Sequence, residues 1–467
     1  MDVERRERRK VERVADKQAE TKPAQVPLFR SQRVPRAPQA GENQSRWGWV
    51  EPKAWTPRML TALNEGVKGG KWFRLIDKVF APKNLEAAYQ KVRRNQGAAG
   101  VDNQSLEMFE QHLEANLKRL EHELREKTYR PHAVKRVWID KAGGSEKRPL
   151  GIPTVRDRTV QTALKNVLEP IFERDFAAQS YGFRPGRGCK DALRRVDELL
   201  HRGYVWIVDA DLKSYFDTLS HAQLMERMRE KVADGRVLAL VQAYLTQGVM
   251  DGMAQWIPEE GSPQGAVISP LLSNLYLDPL DHQMAALGIE MVRYADDFVL
   301  LCRSEAEAVR ALEQVKRWTE QAQLTLHPEK TRIVNAEAGG FDFLGYHFEK
   351  GRKTPRIKSL KKFKDTIREK TRRQNGHSLE TIVTRLNRTL RGWFEYYKHS
   401  HKYTFSNLDG WIRMRLRSIL RRRQKRRGRG RGKDHQRWPN AFFAAHGLFA
   451  LKDAHTRGLS ILSKVNH

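Results

Sequence analysis

The segment MVRYADDFVLLC, residues 291–302, places two adjacent aspartates between two apolar runs. Val, Tyr, Phe and Leu favour β-strands, so both flanks are predicted to be strands. The intervening Ala-Asp-Asp suits a tight turn, because aspartate tolerates unusual backbone angles and hydrogen-bonds to its own backbone. The segment therefore predicts a β-hairpin with Asp296 and Asp297 at its tip. Two carboxylates this close raise each other's pKa unless a cation lies between them.

A second strand is predicted at VWIVDADL, residues 205–212, which ends in Asp209 and Asp211. If this strand lies beside the hairpin, carboxylates from two distant parts of the chain converge. Mg²⁺ prefers such oxygen ligands, and two Mg²⁺ ions about 3.5–4 Å apart can clamp the reacting oxygens of phosphoryl transfer. An Asp-Asp pair alone is more often a solvated turn. The apolar flanks and the second aspartate-bearing strand favour the metal site.

Charge and composition point to a nucleic acid partner. The chain of 467 residues carries a net charge of +31, from 87 Lys and Arg against 56 Asp and Glu, and such an excess is typical of proteins that bind polyanions. The only two cysteines, Cys189 and Cys302, exclude a disulfide framework and zinc sites built from paired cysteines. The sequence shows neither a secretory signal nor the run of about 18 apolar residues that a membrane span needs. We therefore expect a cytoplasmic protein that has no membrane partner.

Composition divides the chain into four predicted segments. Residues 1–80 are polar, basic and dotted with proline, and we expect a largely flexible extension there. Residues 81–350 show helical patterns first and alternating strands and helices after about residue 200, which predicts an α+β core. Residues 351–420 are helical and basic. Residues 421–467 are predicted to be a basic tail that binds DNA or RNA, because nine of residues 421–433 are Lys or Arg and such a run cannot pack.

Several blocks, in order along the chain, resemble the reverse transcriptases that bacterial group II introns encode. Four blocks precede YADD, namely KRPLGIPTVRDRTVQTAL, FAAQSYGFRPGRGCKDAL, DADLKSYFDTL and GSPQGAVISPLLSNLYLDPLD, and two follow it, LTLHPEKTRIV and FDFLGYHF. The resemblance is close over residues 82–350 and looser over 351–450. It implies a right-hand polymerase with helical fingers and an antiparallel-sheet palm in 81–350, the palm carrying the YADD hairpin. An α-helical thumb or maturase domain would occupy 351–420.

The resemblance also assigns the catalytic residues. Asp211, Asp296 and Asp297 correspond to the aspartates that bind two Mg²⁺ ions, and the backbone carbonyl of Leu212 is an expected extra ligand. Asp209 lies two residues earlier on the same strand, outside the position that the motif gives to a ligand, and is expected to be structural.

Three residues are expected to bind the incoming nucleotide. Phe216 falls where these enzymes carry an aromatic gate, since an apolar ring rejects a ribose 2′-OH by bulk and by leaving it unpaired; the alternative is a core phenylalanine. In SPQG, the proline and glycine shape the backbone so that Gln264 can lie against the nucleotide. Arg148, ahead of a predicted β-turn stiffened by prolines, suits the triphosphate because a guanidinium binds phosphate bidentately; a solvated basic turn is the alternative.

Two further sets are assigned to polynucleotides. The predicted primer and template contacts are Arg184, Arg187, Lys330 and Gly345, the two arginines lying among glycines that let a strand approach closely. The predicted contacts of the maturase region with intron RNA are Lys361, Lys362, Lys364 and Arg391. Aromatic residues alternate with basic ones there, which suits RNA, but at helical spacing we expect Trp393 and Tyr397 to be buried.

The function implied by the resemblance is RNA-directed DNA polymerisation on an RNA template with a DNA primer and dNTPs. The same protein would bind group II intron RNA in a ribonucleoprotein, as a monomer or homodimer, to promote splicing and retrohoming into target DNA at the bacterial nucleoid. The C-terminal residues carry no paired cysteines and no His-Asn-His array, so DNA cleavage would fall to the intron RNA or insertion would use single-stranded or replicating DNA. Two alternatives stay open, a domesticated or defence-associated reverse transcriptase and a splicing-only RNA-binding maturase. Intact YADD, DADL and SPQG motifs disfavour the second.

Overall fold

The computed structural model describes residues 46–140, 147–428, 430 and 432–465. The helices of these residues are α1 Pro57–Glu65, α2 Ile76–Val79, α3 Pro82–Asn95, α4 Leu106–Gln111, α5 Leu113–Arg125, α6 Val155–Glu173, α7 Cys189–His201, α8 His221–Lys231, α9 Gly235–Leu245, α10 Ser269–Ala286, α11 Glu305–Gln321, α12 Ile357–Lys370, α13 Leu379–Tyr397, α14 Tyr403–Arg423, α15 Asp434–Arg437, α16 Asn440–Ala445 and α17 Leu451–Val465. The strands are β1 Val134–Asp140, β2 Lys147–Ile152, β3 Trp206–Asp211, β4 Val249–Asp251, β5 Ala254–Trp256, β6 Glu290–Tyr294, β7 Asp297–Cys302, β8 Arg332–Asn335, β9 Phe341–Phe343, β10 Tyr346–Glu349 and β11 Arg352–Pro355.

Residues 47–80 pack against the main core, so the prediction of a largely flexible extension is wrong for this part of 1–80. Trp55 is 1% exposed, and its indole N–H donates to the carbonyl of Asn166 at 3.0 Å. The prolines that suggested flexibility are compatible with a helix here. Pro57 is the first residue of α1, where the missing N–H costs no helical hydrogen bond, and Thr56 caps the helix. Residues 1–45 lie outside the described residues.

The helices predicted after residue 81 are present, and they surround the long helix α6. Helices α4 and α5 follow each other directly and are separated only at His112. Helix α6 is buried along most of its length, polar positions included. Asp157 on α6 accepts hydrogen bonds from the hydroxyls of Tyr129 at 2.6 Å and Thr154 at 2.7 Å, which satisfies its buried carboxylate.

The N-terminal sheet has the strand order β2-β1-β4-β5. Strands β1 and β2 are antiparallel, with Trp138 opposite Pro149 and Ile139 opposite Arg148. The prediction of a β-turn following Lys147 and Arg148 is therefore wrong, because β2 begins at Lys147. Pro149 is tolerated in a strand because β2 is at the edge of its sheet, where one side of the backbone needs no partner.

The central sheet has the strand order β6-β7-β3-β8 and carries the predicted hairpin. Strands β6 and β7 pair antiparallel, and β3, the second predicted aspartate-bearing strand, pairs with β7. Both predictions about these strands are confirmed. Helix α11, which Ser304 caps through its side chain, packs on β3 and β7, and α10 packs on β6.

The C-terminal part of the chain forms a small sheet, β11-β10-β9, followed by a helical module, residues 357–458. Helices α12, α13 and α14 enclose a separate apolar core. Trp393 stacks on Phe363 with ring centroids 4.4 Å apart. The prediction that Trp393 and Tyr397 are buried is confirmed for Tyr397, whereas Trp393 is only partly buried.

Residues 434–458 belong to this module, so the prediction of a solvated basic tail over 421–467 is wrong for them. Phe443 and Leu451 are fully buried against α14. Arg421, inside the basic run, forms an ion pair of 2.8 Å with the buried Asp434, so part of that run packs after all. Asp409 accepts hydrogen bonds from the backbone N–H of Leu451 and of the next residue, which anchors the start of α17.

The fold is therefore of the mixed α+β class, as predicted. Of the helices in the described ranges, none combines the length and the apolar character needed to cross a membrane.

Candidate active site

Asp211 and Asp297 are direct cross-strand neighbours in the central sheet. Asp211 ends β3 and pairs with Asp297, the first residue of β7. Asp297 also pairs with Tyr294 on β6, so the hairpin closes through the two-residue turn Ala295–Asp296. Ala295 has a φ of +61°, a left-handed conformation that tight hairpin turns require. The register therefore brings together two aspartates, Asp211 and Asp297, that lie far apart in the sequence.

The carboxylates around this turn have raised pKa values. Desolvation raises the pKa of Asp297 to about 7, and the charges of Asp209, Asp296 and Asp211 add to the effect. Desolvation also raises the pKa of Asp296, while the positive charge of Arg148 opposes it. Asp297 is nevertheless open to solvent in the cleft, so a cation can reach it. A site with several close carboxylates favours a cation.

Lys330 is the cation that contacts Asp211 in this structure. Its Nζ lies 2.7 Å from Oδ2 of Asp211. Lys330 precedes β8, and a hydrogen bond from the backbone N–H of His327 to the carbonyl of Asp211 at 2.7 Å brings this turn to the end of β3. Lys330 was predicted to contact primer or template, and its bond with Asp211 was not predicted.

The donor set at this point fits Mg²⁺. Among the residues that the structure describes, no cluster of three or more His, Cys, Asp or Glu side chains has the geometry to hold a metal ion. The three aspartates offer only oxygen donors, which Mg²⁺ prefers, and Asp211 already takes a cation. Leu212, whose carbonyl is the predicted extra ligand, is held in place by a β-bridge to Leu326.

Asp209 lies on the same face of β3 as Asp211 and has a partner of its own. Nε of Arg332 lies 3.4 Å from its carboxylate. Desolvation raises the pKa of Asp209, and the charge of Arg332 opposes this shift. The ion pair with the neighbouring strand β8 suits the structural role that was expected of Asp209.

Phe216 and Gln264, two of the predicted nucleotide-binding residues, line one cavity of about 430 Å³. The backbone N–H of Ser262 donates to the carbonyl of Phe216 at 2.7 Å, and that of Gly151 donates to the carbonyl of Gln264 at 2.5 Å. These bonds join the SPQG loop to the 3₁₀ turn Tyr215–Asp217 on one side and to β2 on the other.

Phe216 is half-buried and faces this cavity, whereas its neighbour Tyr215 is the core residue. Tyr215 is fully buried, and its hydroxyl donates to the carbonyl of Ser273 at 2.8 Å. The two rings meet edge to face at 5.3 Å. The surface of the Phe216 ring is thus available to a molecule in the cavity.

Arg148 is exposed on β2 near both parts of the site. Its charge lowers the pKa both of Asp296 in the hairpin turn and of Asp217 at the cavity, opposing the desolvation that raises them. Three other residues of this cavity were not predicted, Arg136 and Trp138 on β1 and Trp256 on β5, although the alternation along β1 was a usable signal for the first two. The guanidinium of Arg136 lies 5.7 Å from the ring of Trp138 and 4.8 Å from that of Trp256.

Arg184 is not placed where a template could reach it, so that prediction is wrong. Its side chain is buried and bonds to both carboxylate oxygens of Glu173 and to the carbonyls of Ala177 and Ser180. Arg187 is half-buried and donates to the carbonyl of Ser180 at 3.2 Å. The irregular loop before α7 has carbonyls without strand or helix partners, and the arginines satisfy them.

Gly345 lies in the turn between β9 and β10 and contacts helix α13. Its φ is +83°, and a Cβ built there would lie 2.9 Å from the hydroxyl of Tyr397. The hydroxyl of Tyr396 donates to the carbonyl of Leu344 at 2.7 Å. Glycine is therefore required by the turn and by packing against the helical module, a role that the sequence analysis did not assign.

The predicted RNA-binding residues lie on the helical module: Lys361, Lys362 and Lys364 on α12 and Arg391 on α13. Lys361, Lys362 and Arg391 are exposed. Nζ of Lys364 lies 5.9 Å from the ring of Trp411, which Arg368 and Arg415 also approach, at 5.8 and 5.5 Å. This concentration of cations around one indole suits the phosphates and bases of RNA.

The chain matches two family models. "Reverse transcriptase (RNA-dependent DNA polymerase)" matches residues 139–348, and "Group II intron, maturase-specific domain" matches residues 360–438. Protein YkfC of Escherichia coli K12 is 34% identical over 314 residues, which cover 58% of this chain and 82% of that protein. Group II intron-encoded protein LtrA of Lactococcus lactis subsp. cremoris is 30% identical over 263 residues, which cover 56% of this chain and 42% of LtrA, less than half its length.

Among solved structures, a chain of a partial Cas6-RT-Cas1–Cas2 complex is 24% identical and covers 53% of this chain, or 41% of its own length, with a TM-score of 0.35. That likeness is too weak to argue from.

The raised pKa of Asp297 predicts that Asp297→Asn stabilises the metal-free protein near neutral pH. The folded-state pKa of about 7 lies above the ordinary 3.8, so folding takes up a proton between these values and stability falls as the pH rises through that window. Asparagine removes this penalty. Because Asp297 is open to water, which screens the repulsion, we expect a gain of about 1 kcal/mol or less.

Melting curves in EDTA at about pH 5.5 and about pH 7.5 measure this effect. The variant should melt above the wild type at the higher pH, and the gap should narrow at the lower pH. Mg²⁺ should raise the melting temperature of the wild type more than that of the variant. Asp365→Asn, which removes an exposed carboxylate on α12, is the control. An equal gap at both pH values would contradict the interpretation.

Proposed function

Because the chain belongs to the family of group II intron reverse transcriptases and maturases, we propose that it copies intron RNA into DNA and binds that RNA to promote splicing and retrohoming. The reverse transcriptase domain is an RNA-directed DNA polymerase, and such polymerases depend on a metal cofactor. The maturase-specific domain implies binding of intron RNA. The observation that carries the polymerase proposal is the cross-strand pairing of Asp211 with Asp297, with Asp296 in the adjoining turn.

In this proposal, Asp211, Asp296 and Asp297 hold two Mg²⁺ ions together with the carbonyl of Leu212. Bound there, the ions would stabilise the attacking 3′-oxygen of the primer and the leaving pyrophosphate. Lys330 pairs with Oδ2 of Asp211, and this ion pair would give way to a metal ion that takes the same oxygen. Desolvation and the charges of neighbouring aspartates raise the pKa of Asp297, and a divalent ion held there would favour its carboxylate form more than a single ammonium does.

The nucleotide would lie between the hairpin turn and the cavity that Phe216 and Gln264 line. Arg148 is close enough to influence charges on both sides, so it can hold the triphosphate while the sugar faces Phe216. The Phe216 ring offers no hydrogen-bonding group, and a ribose 2′-OH pressed against it would lose its water without a new partner. A deoxyribose carries no such cost.

Binding of intron RNA would use the helical module. Exposed Lys361, Lys362 and Arg391 and the cations around Trp411 supply positive charge, and they lie within the part matched by the maturase-specific domain. This surface needs no catalytic carboxylate. The two activities should therefore be separable by mutation.

Primer extension tests the polymerase proposal. Asp297→Asn should abolish extension of a DNA oligonucleotide on an RNA template while the protein stays folded, because the substitution removes a ligand charge without changing the side-chain volume. Asp209→Asn is the matched control on the same sheet, and it should retain extension, since Asp209 is paired with Arg332. Normal extension by the Asp297 variant would contradict the metal assignment, and loss in both variants alike would contradict the distinction between them.

The gate is tested by Phe216→Val. The smaller side chain should admit ribonucleotides much more readily, with a modest fall in dNTP use. The measurement is the ratio of kcat/KM for each rNTP to that for its dNTP. Tyr215→Phe is the control, because it changes the adjoining ring only at its buried hydroxyl. An unchanged ratio in Phe216→Val would mean that the ring serves packing alone.

Separation of the two activities is tested by two multiple variants. Asp296→Ala with Asp297→Ala should end DNA synthesis and leave intron binding and splicing near normal, perturbing binding only by the loss of two negative charges. Lys361→Ala with Lys362→Ala and Lys364→Ala should weaken RNA binding and reduce the log–log salt slope by about 0.7–0.9 per lost phosphate contact. Extension of a short primer at low salt should suffer less.

A matched control removes the same charge elsewhere. Lys83, Lys118 and Lys127 are exposed on or next to the N-terminal helices α3 and α5, and their replacement by alanine should leave intron affinity nearly unchanged. Filter-binding assays across a salt series, with a splicing assay on the flanking RNA, make the comparison. If the double aspartate variant stays folded and loses splicing, the proposed separation is wrong.

A further inference from the structure

Arg293 is a fully buried arginine on β6, two residues before the catalytic turn. Its side chain and that of Asp281, on α10, are both 0% exposed. Nε of Arg293 lies 2.9 and 3.0 Å from the two carboxylate oxygens of Asp281. Nη1 donates to the carbonyl of Ala295 at 2.9 Å, and Ala295 is the first residue of the turn. One guanidinium thus joins the catalytic turn to a core helix.

A second connection to the turn runs through Asn274 and Gly182. Nη1 of Arg293 also donates to Oδ1 of Asn274 at 2.9 Å, and Nδ2 of Asn274 donates to the carbonyl of Gly182 at 2.9 Å. Gly182 lies directly behind the turn, since a Cβ built there would lie 2.1 Å from the backbone nitrogen of Ala295. The loop that contains Gly182 is tied to β6 as well, because the N–H of Tyr181 donates to the carbonyl of Arg293 at 2.8 Å.

A contribution to folding stability does not by itself explain why an arginine is buried here. A buried ion pair costs much of its Coulomb energy in desolvation, and well-packed apolar residues often replace such a pair without loss. The neighbours of Arg293 on β6 follow that rule, since Met291 and Val292 are ordinary core residues. What the guanidinium adds is geometry. Its fixed fork of donors bonds a carboxylate, an amide and the turn carbonyl at once, which the single ammonium of lysine cannot do.

We propose that Arg293, with Asp281, Asn274 and Gly182, is positioning machinery that holds the Ala295–Asp296 turn where Asp296 and Asp297 can bind metal. The inference rests on the proposed polymerase function, because it concerns the metal-binding aspartates of that site. None of the four residues touches a reacting atom. They act through the backbone of the turn, and their loss should therefore change metal affinity more than the affinity for primer and template.

Arg293→Lys keeps the positive charge beside Asp281 and removes the simultaneous bonds to Asn274 and Ala295. Gly182→Ala changes no charge and pushes a methyl group against the turn backbone. Partners outside the ligand shell of a metal usually account for roughly 10- to 100-fold in affinity. We expect both variants to weaken Mn²⁺ binding, measured by electron paramagnetic resonance without substrates, by roughly that factor. The Mg²⁺ concentration for half-maximal extension should rise in parallel.

Arg417→Lys is the matched control. Arg417 is also buried, and it bonds the carbonyl of Trp438 and the side chain of Asn440 in the helical module. The control should lower the melting temperature and leave Mn²⁺ affinity and Mg²⁺ dependence at wild-type values. If folded Arg293→Lys matches this control in both metal measurements, the positioning role is overturned.

Asn274→Ala covers the case in which Arg293→Lys fails to fold. It leaves the pair of Arg293 and Asp281 and the bond from Arg293 to Ala295 intact, and it removes the bonds of Asn274 to Arg293 and to Gly182, so a smaller loss of Mn²⁺ affinity is expected. Unchanged affinity in both Asn274→Ala and Gly182→Ala would overturn the inference. If the wild type binds Mn²⁺ but extends no primer, the proposed function fails while the comparison of variants still decides the positioning role. A wild type that binds no Mn²⁺ would overturn both.

Discussion

Repulsion among carboxylates at the junction of β3 with the hairpin is the constraint on which this site depends. The strand register sets Asp211 opposite Asp297, and a slip of one residue would turn one of them to the other face of the sheet. Once the register is set, the negative charges cannot separate. Desolvation raises the pKa of Asp297 to about 7, and the charges of the neighbouring carboxylates add to this shift. Each nearby cation offsets part of the same negative charge.

The cations answer this crowding in different ways. Lys330 pairs with Asp211 from an exposed position, so the bond is easily broken and a metal ion can replace it. Arg332 pairs with Asp209 and already balances the negative charge of that carboxylate. Arg293 is wholly buried, and its side chain bonds the backbone of the turn. It is therefore suited to fix the conformation of the turn, and a metal ion cannot readily replace it. Exposure therefore separates the replaceable cation from the permanent one.

Local patterns in the sequence predicted the hairpin and its partner strand, because strand alternation and turn chemistry are properties of adjacent residues. Predictions that depended on distant partners were wrong. Arg184 looked like a template contact among glycines, yet Glu173 and the carbonyls of its own loop occupy it. The segments 47–55 and 438–451 are polar in overall composition, so the burial of their tryptophans and apolar side chains was not predicted from the sequence. VRYADD did contain a signal for Arg293, since a charge inside an apolar strand needs a buried partner.

The aspartate cluster is negative, although the chain as a whole has a net charge of +31. This contrast bears on the order in which substrates would bind in the proposed function. A polyanionic template is attracted by the basic surface as a whole, whereas the catalytic turn repels phosphate until cations neutralise it. Lys330 already supplies one positive charge there, and Arg148 supplies another beside Asp296. In the proposed function, nucleic acid would therefore be able to bind beside the turn before metal does. In the proposed function, a triphosphate that carries Mg²⁺ would complete the charge balance by replacing the lysine, so the exchange of one cation for another would couple nucleotide binding to assembly of the site.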